Sequence, residues 1–409
     1  MTEKNNIPKD KQLIKLGEVC TYSKGKKPTV LSDLKTMECS IPYINIKAFE
    51  KGVFDEYTNG EKCNLCNDDD LLMVWDGARC GLIGKAKKGA VGSTLMKILP
   101  KENIHKEYLY HFISSKFWTL NTKPKGVGIP HIEPTLIWNF ELVVPPLTEQ
   151  RAIVTKIEEL LSELENGKQQ LLIAQQQLKV YRQSLLKWAF EGKLTNKNVK
   201  EGELPEGWKW VKLNEICKII GGVTKGKDYK GKQTISLPYL RVANVQDGYL
   251  DLKIIKTIEV LPTDLEKYRL VYGDILYTEG GDKDKLGRGT IWKNELENCI
   301  HQNHIFRARP LSESSNSKYI AYYSQTKFAK SYFYKYGKQT TNLASINLTI
   351  LSGLPLPICS LKEQQLIVSE LESKLTVCDK IEETISQSLQ QAESLRQSIL
   401  KQAFEGKLI

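Results

Sequence analysis

Pro146-Leu147-Thr148-Glu149-Gln150 opens a long polar-apolar run that closes on Ser184-Leu185-Leu186-Lys187-Trp188-Ala189-Phe190-Glu191-Gly192-Lys193-Leu194. A second run opens on Leu361-Lys362-Glu363-Gln364 and closes on Ser398-Ile399-Leu400-Lys401-Gln402-Ala403-Phe404-Glu405-Gly406-Lys407-Leu408. Glu149 and Glu363 stand 214 residues apart, as do Leu194 and Leu408. Two long segments of equal length with matching ends indicate an internal duplication.

Within the first run Ile157, Leu164, Leu171, Leu178 and Leu185 recur at every seventh position. A second line, Leu160, Ala174, Tyr181 and Trp188, keeps the same period, so the segment predicts a helix with an a/d seam. The second run carries Leu371, Cys378, Ile385, Ala392 and Ile399 on one line, with Ile381 and Leu395 on the other. Its seam reads as the weaker, because Lys374, Ser388 and Gln402 share it. Gly167 in the first seam is the place for a break or a close approach. Each helix would be roughly 65–70 Å long. The alternative is two amphipathic helices, each lying on its own domain.

Length and composition suit two or three domains with real cores: 409 residues, 41% hydrophobic and 26% charged. Lys and Arg number 59 against 48 Asp and Glu, a net charge of +11, which favours a polyanionic partner or simply solubility. Neither a secretory leader nor a membrane-spanning run is legible, so no membrane role is expected. Nine scattered cysteines suit a reducing cytoplasm.

The intervening regions echo one another more faintly. Leu16-Gly-Glu-Val-Cys20 answers Leu213-Asn-Glu-Ile-Cys217, and Pro42-Tyr-Ile-Asn-Ile46 answers Pro238-Tyr-Leu-Arg-Val242. Asp70 to Trp75 answers Asp274 to Glu279, and Tyr108 to Phe117 answers Tyr319 to Phe328. The offset drifts from 197 at Leu16 to 211 at Tyr108, so length varies inside the domains and not in the long runs. Short β-prone stretches broken by Gly, Pro and Asp predict a mixed, strand-rich domain before each helix. The expected order is a domain over 1–147, a helix over 148–194, a linker and second domain over 195–359, and a helix over 360–409.

Candidate chemistry is thin. Gly221-Gly-Val-Thr-Lys-Gly-Lys-Asp228 spells part of a phosphate loop, but Asp228 replaces the Ser/Thr and no helix follows, leaving a basic Gly-rich loop. Its counterpart is Ser23-Lys-Gly-Lys-Lys-Pro28. Glu191-Gly-Lys193 and Glu405-Gly-Lys407 have a nuclease spelling, yet both end a long helix, where Gly192 and Gly406 fit as stop signals. Cys63 and Cys66 would make half a zinc site, with Cys39 and Cys80 in reserve at irregular spacing. No metal, cofactor or catalytic set is expected.

Basic and polar residues concentrate in matching loops. The first domain offers Lys24, Lys26, Lys27, Asn45, Lys47, Arg79, Lys125 and His131. The second offers Lys225, Lys227, Arg241, Asn244, Arg288, Lys338, Gln339, Thr340 and Asn342. Arg, Asn and Gln read purine edges in a DNA major groove, and Lys suits phosphates.

The Pro-Leu-x-Glu-Gln motif at Pro146 to Gln150, the duplicated Ala-Phe-Glu-Gly-Lys-Leu endings, Pro238 to Val245, Gly273-Asp-Ile-Leu-Tyr277 and His301-Gln-Asn-His-Ile-Phe306 together carry a resemblance. The chain resembles the specificity subunit of Type I restriction-modification systems over nearly its whole length. That resemblance implies an α+β protein with two target-recognition domains and two long helices packed as an antiparallel coiled coil. It implies double-stranded DNA, methyltransferase subunits and restriction subunits as partners, and a non-catalytic role directing them to a split site. Because the two domains differ, an asymmetric site is expected. Two other readings remain: the DNA-reading subunit of a fused methyltransferase-nuclease, and a coiled-coil scaffold for protein partners.

Overall fold

Both heptad runs fold as helices of 44 residues, Leu147–Phe190 and Leu361–Phe404, about 66 Å each at 1.5 Å per residue. In the computed structural model, residues 13–122, 130–196, 198–200, 202–281, 286–312, 315–339 and 344–409 are described. Gly167 does not break the first helix; it is exposed, and a Cβ there would meet nothing. Both helices end on a left-handed glycine, Gly192 at φ 76° and Gly406 at φ 70°. The amide after each glycine donates back to the helix, Lys193 to the Trp188 carbonyl at 2.8 Å and Lys407 to that of Gln402 at 3.0 Å. Glu191 and Lys193 pair with each other at 2.7 Å, as do Glu405 and Lys407, so the nuclease spelling is a helix stop.

The chain divides into two units, residues 1–172 with 386–409, and residues 173–385. In the first unit, Cys20–Lys24, Leu95–Pro100, Leu71–Val74 and Ile83–Lys85 lie side by side in that order as a four-stranded antiparallel sheet. A second sheet has the order Tyr57–Thr58, Ile41–Ile44, Gly89–Val91, Leu65–Cys66. Helices Lys106–Ser115 and Phe117–Thr122 complete the domain. Its core joins Leu71, Met73, Ile98, Tyr108 and Phe112 to Ile153 and Ile157 of the first long helix and to Leu400 and Ala403 of the second.

The second unit repeats this plan. Cys217–Gly221, Ile305–Pro310, Ile275–Thr278 and Gly289–Ile291 form its four-stranded sheet in the same order. Lys256–Val260, Ile235–Leu240 and Ile300–His301 form the second sheet, and helices Ser317–Ser324 and Lys327–Tyr336 follow. Ile275, Tyr277, Ala308, Tyr319 and Tyr323 pack with Leu185, Ala189 and Phe190 of the first long helix and Ile367 and Leu371 of the second. Here the helices run antiparallel: Arg182 pairs with Asp379 at 2.7 Å and Glu382 at 2.9 Å, while Asn196 reaches Glu363 at 2.9 Å.

Burial differs between the two lines of the seam. The second helix buries Leu371, Cys378, Ile385, Ala392 and Ile399 on one line, while Lys374, Ser388 and Gln402, expected to weaken the seam, sit on the other. In the first helix Ile157, Leu178 and Leu185 are buried, while Leu160, Leu164 and Leu171 are half-buried. Tyr181, Trp188, Ile381 and Leu395 of the other line are exposed. The reason lies at the helix ends, where the globular domain competes for the buried face. Leu186, Ala189, Ile367, Val368, Leu400 and Ala403 are buried there alongside Leu185, Leu371 and Ile399. Among the described residues no helix is long and apolar enough to cross a membrane.

Candidate functional site

The duplicated motifs turn out to be joints. Gln150 and Gln364, four residues into each long run, are wholly buried. Gln150 accepts from the His105 amide at 2.8 Å and donates to the Asn103 and Pro145 carbonyls at 2.9 and 2.8 Å. Gln364 accepts from the Asn316 amide at 2.9 Å and donates to the Cys359 carbonyl at 2.8 Å. Each glutamine therefore fastens the start of a long helix to the start of a domain helix. At the other end, the Phe190 ring meets Tyr319 and Tyr323 edge-on at 4.9 and 5.1 Å, and Phe404 meets Tyr108 and Phe112 at 5.1 and 5.3 Å. Each domain thus rests on the beginning of one long helix and the end of the other.

These joints hold up the loops that carry the basic residues. Gly25 and Gly222 occupy one register in the two copies, just past the first strand of the four-stranded sheet. A Cβ on Gly25 would sit 2.1 Å from the Gly92 carbonyl oxygen, and one on Gly222 1.9 Å from that of His301. Only glycine admits such an approach, and beyond it run the exposed residues Lys26, Lys27, Lys225 and Lys227.

In the second unit the loops surround a recess of about 460 Å³, lined by Val242, Glu279, Gly280, Gly281, His304, Lys338, Ala344 and Ser345. Glu279 is pinned by its backbone: its amide donates to the His304 carbonyl at 3.0 Å, and its carbonyl accepts from Ile346 at 2.7 Å. Its carboxylate is hydrogen-bonded to His304 Nδ1. Lys338 leads a short strand that pairs with Ala344–Ser345, which pairs in turn with Gly280–Gly281. In the first unit the corresponding bridge joins Asp76 to His131, and Asp76 forms an ion pair with Lys24 at 2.8 Å. The same position in two copies therefore presents different chemistry.

Several predicted readers are otherwise engaged. Asn45 caps helix Ile46–Lys51, accepting from the Ala48 amide at 2.8 Å and donating to Glu56. Asn244 is buried; it accepts from the Arg241 amide at 2.9 Å and donates to the Asp251 and Ile254 carbonyls at 2.8 and 3.1 Å. Both side-chain amides are engaged in bonds within the fold. Lys47 pairs with Asp55 and Arg79 with Glu50, the latter at 3.0 Å. Arg241 donates to the Ile254 carbonyl at 3.3 Å, and Arg288 to Gln246 at 2.8 Å. Lys24, Lys26, Lys27, Lys225, Lys227 and Lys338 remain exposed. Lys125, Thr340 and Asn342 lie outside the described residues, as does the side chain of Gln339.

Sequence reasoning passed over Glu279, His304 and Asp76, because a single carboxylate or imidazole in a loop reads as an ordinary surface group. The 25-residue separation of Glu279 from His304 hides their pairing. The thiols weighed for zinc point into different cores: Cys80 faces the Leu120 carbonyl at 3.8 Å, and Cys66 faces Lys87 and Gly89 at 3.4 and 3.5 Å. Burial pushes the Cys66 thiol up to about 11.

With this geometry in place, comparison with known proteins is informative. Residues 8–173 and 205–391 match the family model described as Type I restriction modification DNA specificity domain. The chain is 29% identical to the MjaVIII specificity subunit of Methanocaldococcus jannaschii, covering 98% of this chain and 94% of that one. It is 26% identical to the EcoKI specificity subunit of Escherichia coli, over 83% and 75%. Among solved structures, the HsdS subunit of Thermoanaerobacter tengcongensis superimposes with a TM-score of 0.58 at 19% identity, covering 99% of both chains. A chain from work on complex assembly and conformational transition of the type I R-M system gives 0.72 at 20%, covering 98% and 99%. At these identities the structural likeness speaks for the fold.

Proposed function

The chain belongs to the Type I restriction modification DNA specificity family and is a DNA sequence-recognition subunit; from that premise we propose that its two domains read the two halves of a split, asymmetric site. Its relatives are named specificity subunits, and the chemistry belongs to other subunits, so this chain is no enzyme by itself. One observation carries the asymmetry. At matched positions a bridge joins Asp76 to His131 in one copy and strand pairing joins Gly280 to Ser345 in the other, and Lys24, which pairs with Asp76, is matched by Gly221. Two such surfaces offer different donors and acceptors to the groove edges, so they favour different bases.

Exposed lysines in each domain supply phosphate contacts that fix register, while side chains in the recess select bases. The long helices act as spacer and platform, packed against each other as a coiled coil that sets the gap between half-sites. Methyltransferase and restriction subunits dock along them in the cytoplasm, using exposed apolar residues such as Val180, Tyr181, Trp188 and Ile381. The spacer idea is tested by lengthening a helix. The gap in the recognised site should change while the half-site bases stay the same; changed half-site bases would contradict it. A protein scaffold is distinguished by salt, because duplex binding by the complex should weaken steeply as salt rises, with a slope set by the number of phosphates neutralised.

A further inference from the structure

Glu279 lines the recess of the second unit, and stability gives no account of it there. Its partner His304 is 53% exposed and the carboxylate itself 32%, and ion pairs so exposed contribute little to folding. A carboxylate near phosphates is repelled by them, so it is favourable only where it meets a donor. In the major groove a cytosine presents its N4 amino group as a donor, and its paired guanine presents O6 and N7 as acceptors. The recess of the second unit mirrors that pattern. Glu279 is acceptor-only, and Lys338, a donor-only side chain, lines the same cavity of about 460 Å³. Gly280 and Gly281 form the adjoining wall without side chains, leaving room for a base edge to approach.

We propose that Glu279 is the specificity-determining residue of the second domain, accepting the N4 amino group of a cytosine in a G·C pair of its half-site. His304 is the positioning residue. It binds the carboxylate, while the backbone bonds of Glu279 to His304 and Ile346 hold the strand end from both sides. The carboxylate is thereby oriented before DNA arrives, and selectivity gains from that preorganisation. A thymine or guanine at the same place would set an acceptor, O4 or O6, against the carboxylate, so discrimination comes partly from rejection. This assignment rests on the second domain being a DNA reader.

The test uses the full chain assembled with its methyltransferase subunits. Methylome sequencing and binding selection from randomised duplexes are carried out on the wild type, Glu279→Gln, His304→Ala and His304→Gln. Glu279→Gln should lose roughly tenfold or more of the preference for one G·C pair in the second half-site, with the first half-site unchanged. His304→Ala should relax the same position, and His304→Gln, which keeps a donor, should restore much of it. Unaltered preference at every position in Glu279→Gln overturns the proposal. So does an equal loss on all sequences, which would mark a structural or phosphate-side role. If the wild-type complex itself selects no sequence, the reading of the chain as a recognition subunit fails instead.

Discussion

The two domains share a scaffold and differ inside it. In the second domain Asp274 is wholly buried and meets Arg309 at 2.7 and 2.8 Å, while it accepts from the Val271 amide at 2.8 Å. The first domain has Asp70 in the same place, with Lys97 3.9 Å away and both partly exposed. Yet both copies keep the buried glutamine, the helix-end phenylalanine and the glycine against a carbonyl. The parts that fasten a domain to the long helices are duplicated, whereas the ionic bracing behind the variable loops is not. The proposed reading of two different half-sites calls for this division of constraint.

That contrast is sharpest at the aspartates. Asp274→Ala removes a buried carboxylate that holds both the half-buried Arg309 and the Val271 amide, and should destabilise the second domain by about 2–3 kcal/mol, against about 1 kcal/mol for Asp70→Ala in the first. Native-state hydrogen exchange, which reports each domain separately, measures both; equal losses would erase the distinction. The joints should behave alike. Phe190→Ala is expected to cost about 3 kcal/mol in the second unit, and Phe404→Ala slightly less in the first, because its ring is only half-buried. Gln150→Leu and Gln364→Leu each strand buried backbone groups, and matching losses of about 2–3 kcal/mol in urea unfolding would support a shared role.

Acid should separate the domains again. His301 is buried in the second domain, at the register that Val91 fills in the first. Burial lowers its pKa to about 4, below the 6.5 of a free histidine. The unfolded chain therefore takes up a proton first as pH falls, so the stabilisation is complete above about 6.5 and is lost progressively down to about 4. At pH 5 the loss should be on the order of 2 kcal/mol, and His301→Gln should flatten that part of the second domain's pH profile. The smallest effect belongs to the exposed lysines. Lys225→Ala should weaken binding on all sequences alike and reduce the salt slope by about one, read by fluorescence anisotropy at several salt concentrations.

Much of this was legible in the sequence. Period seven gave the helices, the Glu-Gly-Lys endings gave their stops, and the faint echoes gave two related domains. The partners of polar side chains were not legible. Asn45 and Asn244 have the right amide to read adenine, but the same group caps a turn, and only the fold shows which donors lie nearby. The outer line of the seam misled for a related reason: a seven-residue period marks a candidate face, while the domain packed at each helix end decides which residues it buries. That Phe190 belongs to the second domain's core and Phe404 to the first domain's was implied by the duplicated endings, but needed the tertiary contacts to be seen.

The most direct measurement is the methylome of a host carrying this chain with its methyltransferase, with and without replacement of residues 13–143 by the corresponding domain of a relative. The account predicts a two-part, non-palindromic site of which one half changes on replacement, with the other half and the gap preserved. A palindromic site, or a replacement that alters both halves, would contradict it.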